Sequence, residues 1–230
     1  MKVEVGESLV LSWLRHIKGC QIVQSNWKAS KVWPLSEKDK LQGLMENAQS
    51  FFLDKHNYNV FKKNRNVVQV LQQAEIDLVG IDYNENGSRL YAVDVAFHEG
   101  GLLYGAGRKE TTEAILRKCL RTAMCLYGYL RQTSGEVIFA SPKINPSNMT
   151  DISACIDDVE VVLKDIGLDF NVQVIANERF RTEMLEPLID RIGDIADTSE
   201  LFMRSLQMCK LFSSKSSKGL ISVLDDKVIL

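Results

Sequence analysis

The 230-residue chain has little of several things, and each scarcity narrows what it is. It contains three histidines and five cysteines, the cysteines at 20, 119, 125, 155 and 209. No pair of them has zinc-ligand spacing, and their number is odd, so a zinc module or a disulfide scaffold is not expected. Buried free thiols in a reducing compartment are the expectation. Four prolines, at 34, 142, 146 and 187, leave long stretches for regular elements. No run approaches the roughly 18 apolar residues of a membrane span, so no membrane partner is expected. The start, MKVEVGESLV, lacks the apolar core of a signal peptide, which points to a cytoplasmic protein.

There is also little net charge. A formal −2 argues against a general basic coat, but the distribution is uneven. Residues 100–131 hold six basic side chains against two acids, whereas residues 151–200 hold thirteen acids against four basic side chains. One face can therefore attract polyanions while another repels them.

What is present is ordinary globular composition, 45% hydrophobic and 25% charged, enough for one sizeable domain. Leu9, Val10, Trp13, Leu14 and Ile17 form one helical stripe over residues 6–18, with Gly19 as its stop. Residues 20–26 read as a first strand. Residues 33–73 read as a largely helical insertion, and residues 74–82 and 89–99 as two strands joined at Asn86-Gly87. A glycine-rich loop, GGLLYGAGRK, precedes a helix over 111–130. A strand (136–144), a helix (151–166), a strand (170–177) and further helices (181–212) follow. Residues 213–230 read as a polar tail with a short apolar end. The alternation gives an α/β fold with a mixed sheet, holding a hairpin in its first half and crossovers in its second. The domain proper is expected to span residues 1–212.

One stretch, YAVDVAFHEGG (91–101), sets an aspartate inside an otherwise apolar strand, where a carboxylate is expensive unless paired. With a turn centred on Asn86-Gly87, Asp77 faces Ala96 and Asp94 faces Val79. The two acids are then diagonal neighbours on one side, roughly 7–8 Å apart or somewhat less. That side also carries Val79, Ile81, Ala92 and Ala96, so it reads as buried. Two like charges there repel unless something positive lies between them. The same register sets Glu75 opposite His98. Glu7 falls on the apolar stripe of the first helix, where an acid is either a third ligand or simply complements the helix dipole.

These residues resemble the PD-(D/E)xK nucleases, the restriction-endonuclease-like superfamily. The similarity runs through Gly6-Glu7, Ile76-Asp77 and Asp94-Val95-Ala96, then the helix from Thr111 and the strand and helix after it. The resemblance implies a three-layer α/β/α core and a Mg²⁺ or Mn²⁺ ion held by Asp77 and Asp94, with Glu7 and the carbonyl of Val95. It implies hydrolysis of DNA phosphodiester bonds, and it is compatible with a homodimer. The lysine expected two residues after the second acid is replaced by Ala96, and Ile76 stands where the proline would be. By helical spacing Lys118 falls opposite the apolar stripe and should face solvent. Lys109 is the expected substitute, with Arg108 and Lys143 as other choices and His98 as a further candidate catalytic residue. The missing lysine leaves open an inactive nuclease-like module that binds nucleic acid or protein.

Overall fold

In a computed structural model the described residues are 5–212 except 86, 99, 196 and 197. The expected tail, 213–230, lies outside them. The first helix, α1 (Val5–His16), is followed by β1 (Ile22–Trp27), then α2 (Lys38–His56) and α3 (Val67–Gln72) in the segment read as an insertion. The hairpin is β2 (Ile76–Asn84) and β3 (Gly87–Val95). After it come α4 (Arg108–Leu130), β4 (Ser134–Ser141), α5 (Pro146–Ser153), α6 (Asp157–Lys164) and β5 (Asp169–Ala176). The chain continues through α7 (Glu178–Phe180), a π-helical turn (Arg181–Leu185), α8 (Glu186–Arg191) and α9 (Leu201–Phe212).

The five strands form one mixed sheet in the order β1-β2-β3-β4-β5. The pairs β1–β2 and β2–β3 are antiparallel, while β3–β4 and β4–β5 are parallel. Each parallel step needs a crossover, and α4 and then α5–α6 supply them. Helices cover both faces. On one, Leu9, Val10, Trp13 and Leu14 of α1 bury against Leu78, Tyr91, Val93 and Ile138, with Met184, Leu188 and Met203 closing the layer. This is the stripe that the sequence shows. On the other face α4 and α6 pack on Ala92, Phe139, Val137 and Val174, and α2 and α3 cover them from outside.

That outer cover explains α4. Fourteen of its 23 residues are buried, and they occupy every side of the helix. A helix between a sheet and a further helical layer has two buried faces, so a single amphipathic stripe does not describe it.

Two expectations change. The segment 151–166 is two helices broken at residues 154–156, and Asp157, Asp158 and Glu160 supply the acidic first turn that marks the second start. The hairpin turn also differs. Asn84 pairs with Gly87, and Gly87, at φ +123°, opens β3. Moving the turn centre back by one residue shifts every partner by two. Val79 pairs with Ala92, not Asp94, and Leu78 with Val93. A shift of two keeps each side chain on its face.

Candidate active site

The β2–β3 ladder ends at Leu78↔Val93, and one further step in that register sets Asp77 directly opposite Asp94 rather than diagonal to it. The strand ends separate here for a visible reason. Successive amides of a strand point to alternate sides, and Ala96 N–H goes to Ala140 O (2.9 Å) on the β4 side. Val95 N–H therefore points towards β2, where the Asp77 carboxylate accepts it at 2.7 Å through Oδ2. Asp77 thus sits just past the end of the β2–β3 ladder, half-buried, with its charge facing Asp94 and Lys118.

Asp94 is 2% exposed. Its Oδ1 accepts from Lys118 Nζ at 3.1 Å and its Oδ2 from Thr122 Oγ1 at 2.8 Å. Lys118 and Thr122 are one helical turn apart on α4, so both reach the same strand position. Contrary to the expectation from its spacing, the lysine does not face solvent: its side chain is 25% exposed and its ammonium also lies 5.8 Å from the Phe139 ring centre. The sheet-facing side of α4 is itself a buried face, so falling away from one apolar stripe does not carry a residue into water.

The electrostatics follow the geometry. Burial pushes the Asp77 carboxyl above the ordinary aspartate range; the Val95 amide and Lys118 oppose this, and Asp94 reinforces it. Burial works against the Lys118 ammonium, yet Asp94, Tyr104 and Asp77 together hold its pKa above the usual lysine value. Lys118 is thus a fixed cation at neutral pH, not a base. Tyr104, half-buried on the loop before α4, is raised by burial and by both aspartates, with Lys118 lowering it.

The other expected residues sit apart from this pair. Glu75 bridges to Lys28 at 2.6 Å rather than meeting His98, because the corrected register separates them. His98 is exposed and packs edge-on to Tyr104, 6.4 Å between ring centres. Lys109 is exposed in the first turn of α4, nine residues before Lys118, or roughly 13 Å along the axis. Arg108 is committed to Asp151 by two hydrogen bonds of 3.0 and 2.7 Å, holding α5. Lys143 is exposed beyond β4. The glycine-rich loop is pinned at Leu102, which is fully buried, donates to Lys143 O (3.0 Å) and accepts from Asn148 (3.2 Å).

Glu7 lies half-buried in the first turn of α1. A side chain at Gly6 would come within 3.0 Å of Phe97 Cβ and 3.3 Å of Val95 Cγ1, so this helix start rests directly on the end of β3. Val95 points to the α1 side of the sheet, whereas Asp94 points to α4, so this contact sets the start of α1 across the sheet from the Asp94 carboxylate. Among the described residues no group of three or more His, Cys, Asp or Glu side chains converges on one point. The arrangement is two opposed carboxylates with an ammonium on one of them.

Those residues fit a hard divalent cation. Oxygen donors from two opposed strands suit Mg²⁺ or Mn²⁺, and Asp77 in particular is an ionisable group for which burial is under-compensated. Sequence reasoning put Asp77 and Asp94 on one side of the hairpin, set Lys118 in solvent and did not single out Thr122 or Tyr104. The available signal was the i, i+4 pair Lys118–Thr122 in a helix too uniformly apolar to have one solvent face. Searches of family models, of curated proteins and of solved structures find no match for this chain.

Proposed function

We propose that the chain is a metal-dependent nuclease of the restriction-endonuclease-like type, hydrolysing DNA phosphodiester bonds at Asp77, Asp94 and Lys118. The observation that carries this reading is the lysine on Asp94. The resemblance requires an ammonium beside the second acid, Ala96 cannot provide one, and α4 delivers one to that same carboxylate from another element. The α/β/α layering and the hairpin-borne acids support the same reading.

Asp77 and Asp94 would hold Mg²⁺ or Mn²⁺, and the resemblance adds Glu7 and the Val95 carbonyl. When bound, that ion supplies charge neutralisation at the phosphate and an acidified water. The chain's own residues do the rest. Lys118, kept protonated by its neighbours, stabilises negative charge building on the phosphoryl group. Thr122 fixes the orientation of Asp94 so that the carboxylate need not reorganise. Asp77, whose carboxyl burial pushes above the ordinary aspartate range, would serve as the proton acceptor.

The purified protein should nick or cut DNA with Mg²⁺ or Mn²⁺; Asp94→Asn should abolish this and Lys118→Met should cut it about 10²- to 10³-fold while the fold persists. Undiminished cutting by both variants would sink the proposal. A second reading has one observation in its favour: both Asp94 oxygens already have partners, as in a purely structural ion pair. A domain that only binds nucleic acid or protein would then show no metal dependence.

A further inference from the structure

Beside Lys118, α4 carries two arginines that form no ion pair among the described residues. Arg117 and Arg121 are one helical turn apart, and on the helical wheel Arg121 falls between Arg117 and Lys118. Both are half-buried. Arg117 Nη1 donates to Val60 O at 3.1 Å, and the buried Nε of Arg121 meets no acceptor. Among the described residues neither guanidinium lies within ion-pair distance of an acid. The nearest candidate, Glu113, is buried and accepts from Asn59 N at 2.8 Å. Like charges placed together and partly desolvated are unfavourable without a counter-anion. In agreement, Arg117 is lowered first by burial and then by Arg121.

The chain that packs against Arg117 adds to the same field. Two and three residues after Val60 come Lys62 and Lys63, both exposed, with Lys62 held in a left-handed conformation at φ 55°. A row of cations therefore leads away from the ammonium on Asp94. Three residues along α4 rise about 4.5 Å, so Lys118 and Arg121 stand close enough to meet neighbouring oxygens of one extended polyanion. Guanidinium groups match phosphate geometry with paired donors.

We propose that Arg117 and Arg121, with Lys62 and Lys63 at the rim, seat a backbone phosphate of a nucleic acid strand next to the phosphate at Asp77, Asp94 and Lys118. This rests on the nuclease reading for the position of the cut, but the seat itself is a matter of binding. Interactions of this kind fix the register of the strand and carry no base preference.

The test is fluorescence anisotropy of a short labelled DNA without divalent metal, across a range of salt concentrations. Arg117→Gln and Arg121→Gln should each weaken binding about three- to tenfold. Each should also flatten the dependence of log affinity on log salt by about 0.7–0.9 for every phosphate no longer neutralised. Arg121→Lys should keep most of the slope, and Arg191→Gln on α8 should change nothing. Thermal melts identify folded variants, and the Lys replacement preserves the test if Arg121→Gln unfolds. Unchanged affinity and slope in folded Arg117→Gln and Arg121→Gln would overturn the seat. So would polyglutamate competing as well as DNA of equal charge, since the surface would then recognise an acidic protein. Loss of binding in these variants, alongside metal-independent absence of cleavage in the wild type, would sink the nuclease reading and leave the seat standing.

Discussion

Lys118→Met is the most informative single change, because it removes the ammonium beside Asp94 and keeps most of the side chain. Methionine preserves an unbranched stem of similar length, so packing near Phe139 is largely retained. What is lost is the counter-charge of a carboxylate whose side chain is 3% exposed. Breaking a fully buried ion pair costs about 3–5 kcal/mol, because the remaining charge stays desolvated. Two features reduce that figure here. Lys118 is 25% exposed, so water reaches the pair, and Thr122 still donates to Oδ2. About 2 kcal/mol is the expected loss, read as a shift of about 1 M in the urea midpoint for an m-value of about 2 kcal/mol/M. Asp94→Asn in the same background should recover much of it, since no isolated charge then remains, and a double-mutant cycle measures the coupling directly. Cleavage should fall about 10²- to 10³-fold, the usual effect of removing one preorganised donor to a developing oxyanion. If Lys118→Met melts in urea like Lys109→Met and the cycle shows no coupling, then the pair does not exist in solution and Lys118 cannot serve Asp94 as described.

Other outcomes follow from the same geometry. Thr122→Val, nearly isosteric, should lower stability by about 1.5–3 kcal/mol through loss of a hydrogen bond to a buried carboxylate, measured by urea titration. Lys109→Met should leave cleavage within about threefold of wild type, since that residue is exposed and far along α4 from Asp94. Asp77 makes a pH prediction. Its folded pKa is raised, so the folded state holds the proton more tightly than the unfolded chain does. That contribution is complete below the unfolded value of about 3.9 and is lost as pH rises through the higher folded one. The stability of wild type relative to Asp77→Asn, without metal, should therefore decline as pH rises above about 4; a flat or rising difference contradicts the burial of Asp77. Gly135→Ala should cost about 2 kcal/mol, because Gly135 has φ +148° and a Cβ there would meet Leu90 O at 3.0 Å.

Much of the framework was legible because it rests on periodicity. The α1 stripe, the hairpin and the alternation of strands with crossover helices follow from spacing alone. The register was not, since Asn-Gly is a strong turn signal but leaves open which residues form the loop; Gly87 begins β3 instead. The error was harmless to the faces and wrong for the partners. The inference that Asp77 and Asp94 come together survives, as direct opposition in place of a diagonal. Lys118 was missed for a different reason. Amphipathic reasoning assumes one buried face, and α4 has two because α2 and α3 form a layer outside it. No local pattern reports what a helix some fifty residues earlier will cover. The arginine pair was equally hidden, since only the fold shows Glu113 occupied by Asn59.

The central claim is that Asp77 and Asp94 form one cation site with Lys118 beside it. The most direct measurement is the anomalous difference density of a crystal soaked in Mn²⁺. The account predicts one peak in contact with a carboxylate oxygen of Asp77 and one of Asp94, abolished in Asp94→Asn. An empty map between two well-ordered aspartates at millimolar Mn²⁺, with Lys118 still on Asp94, would contradict it.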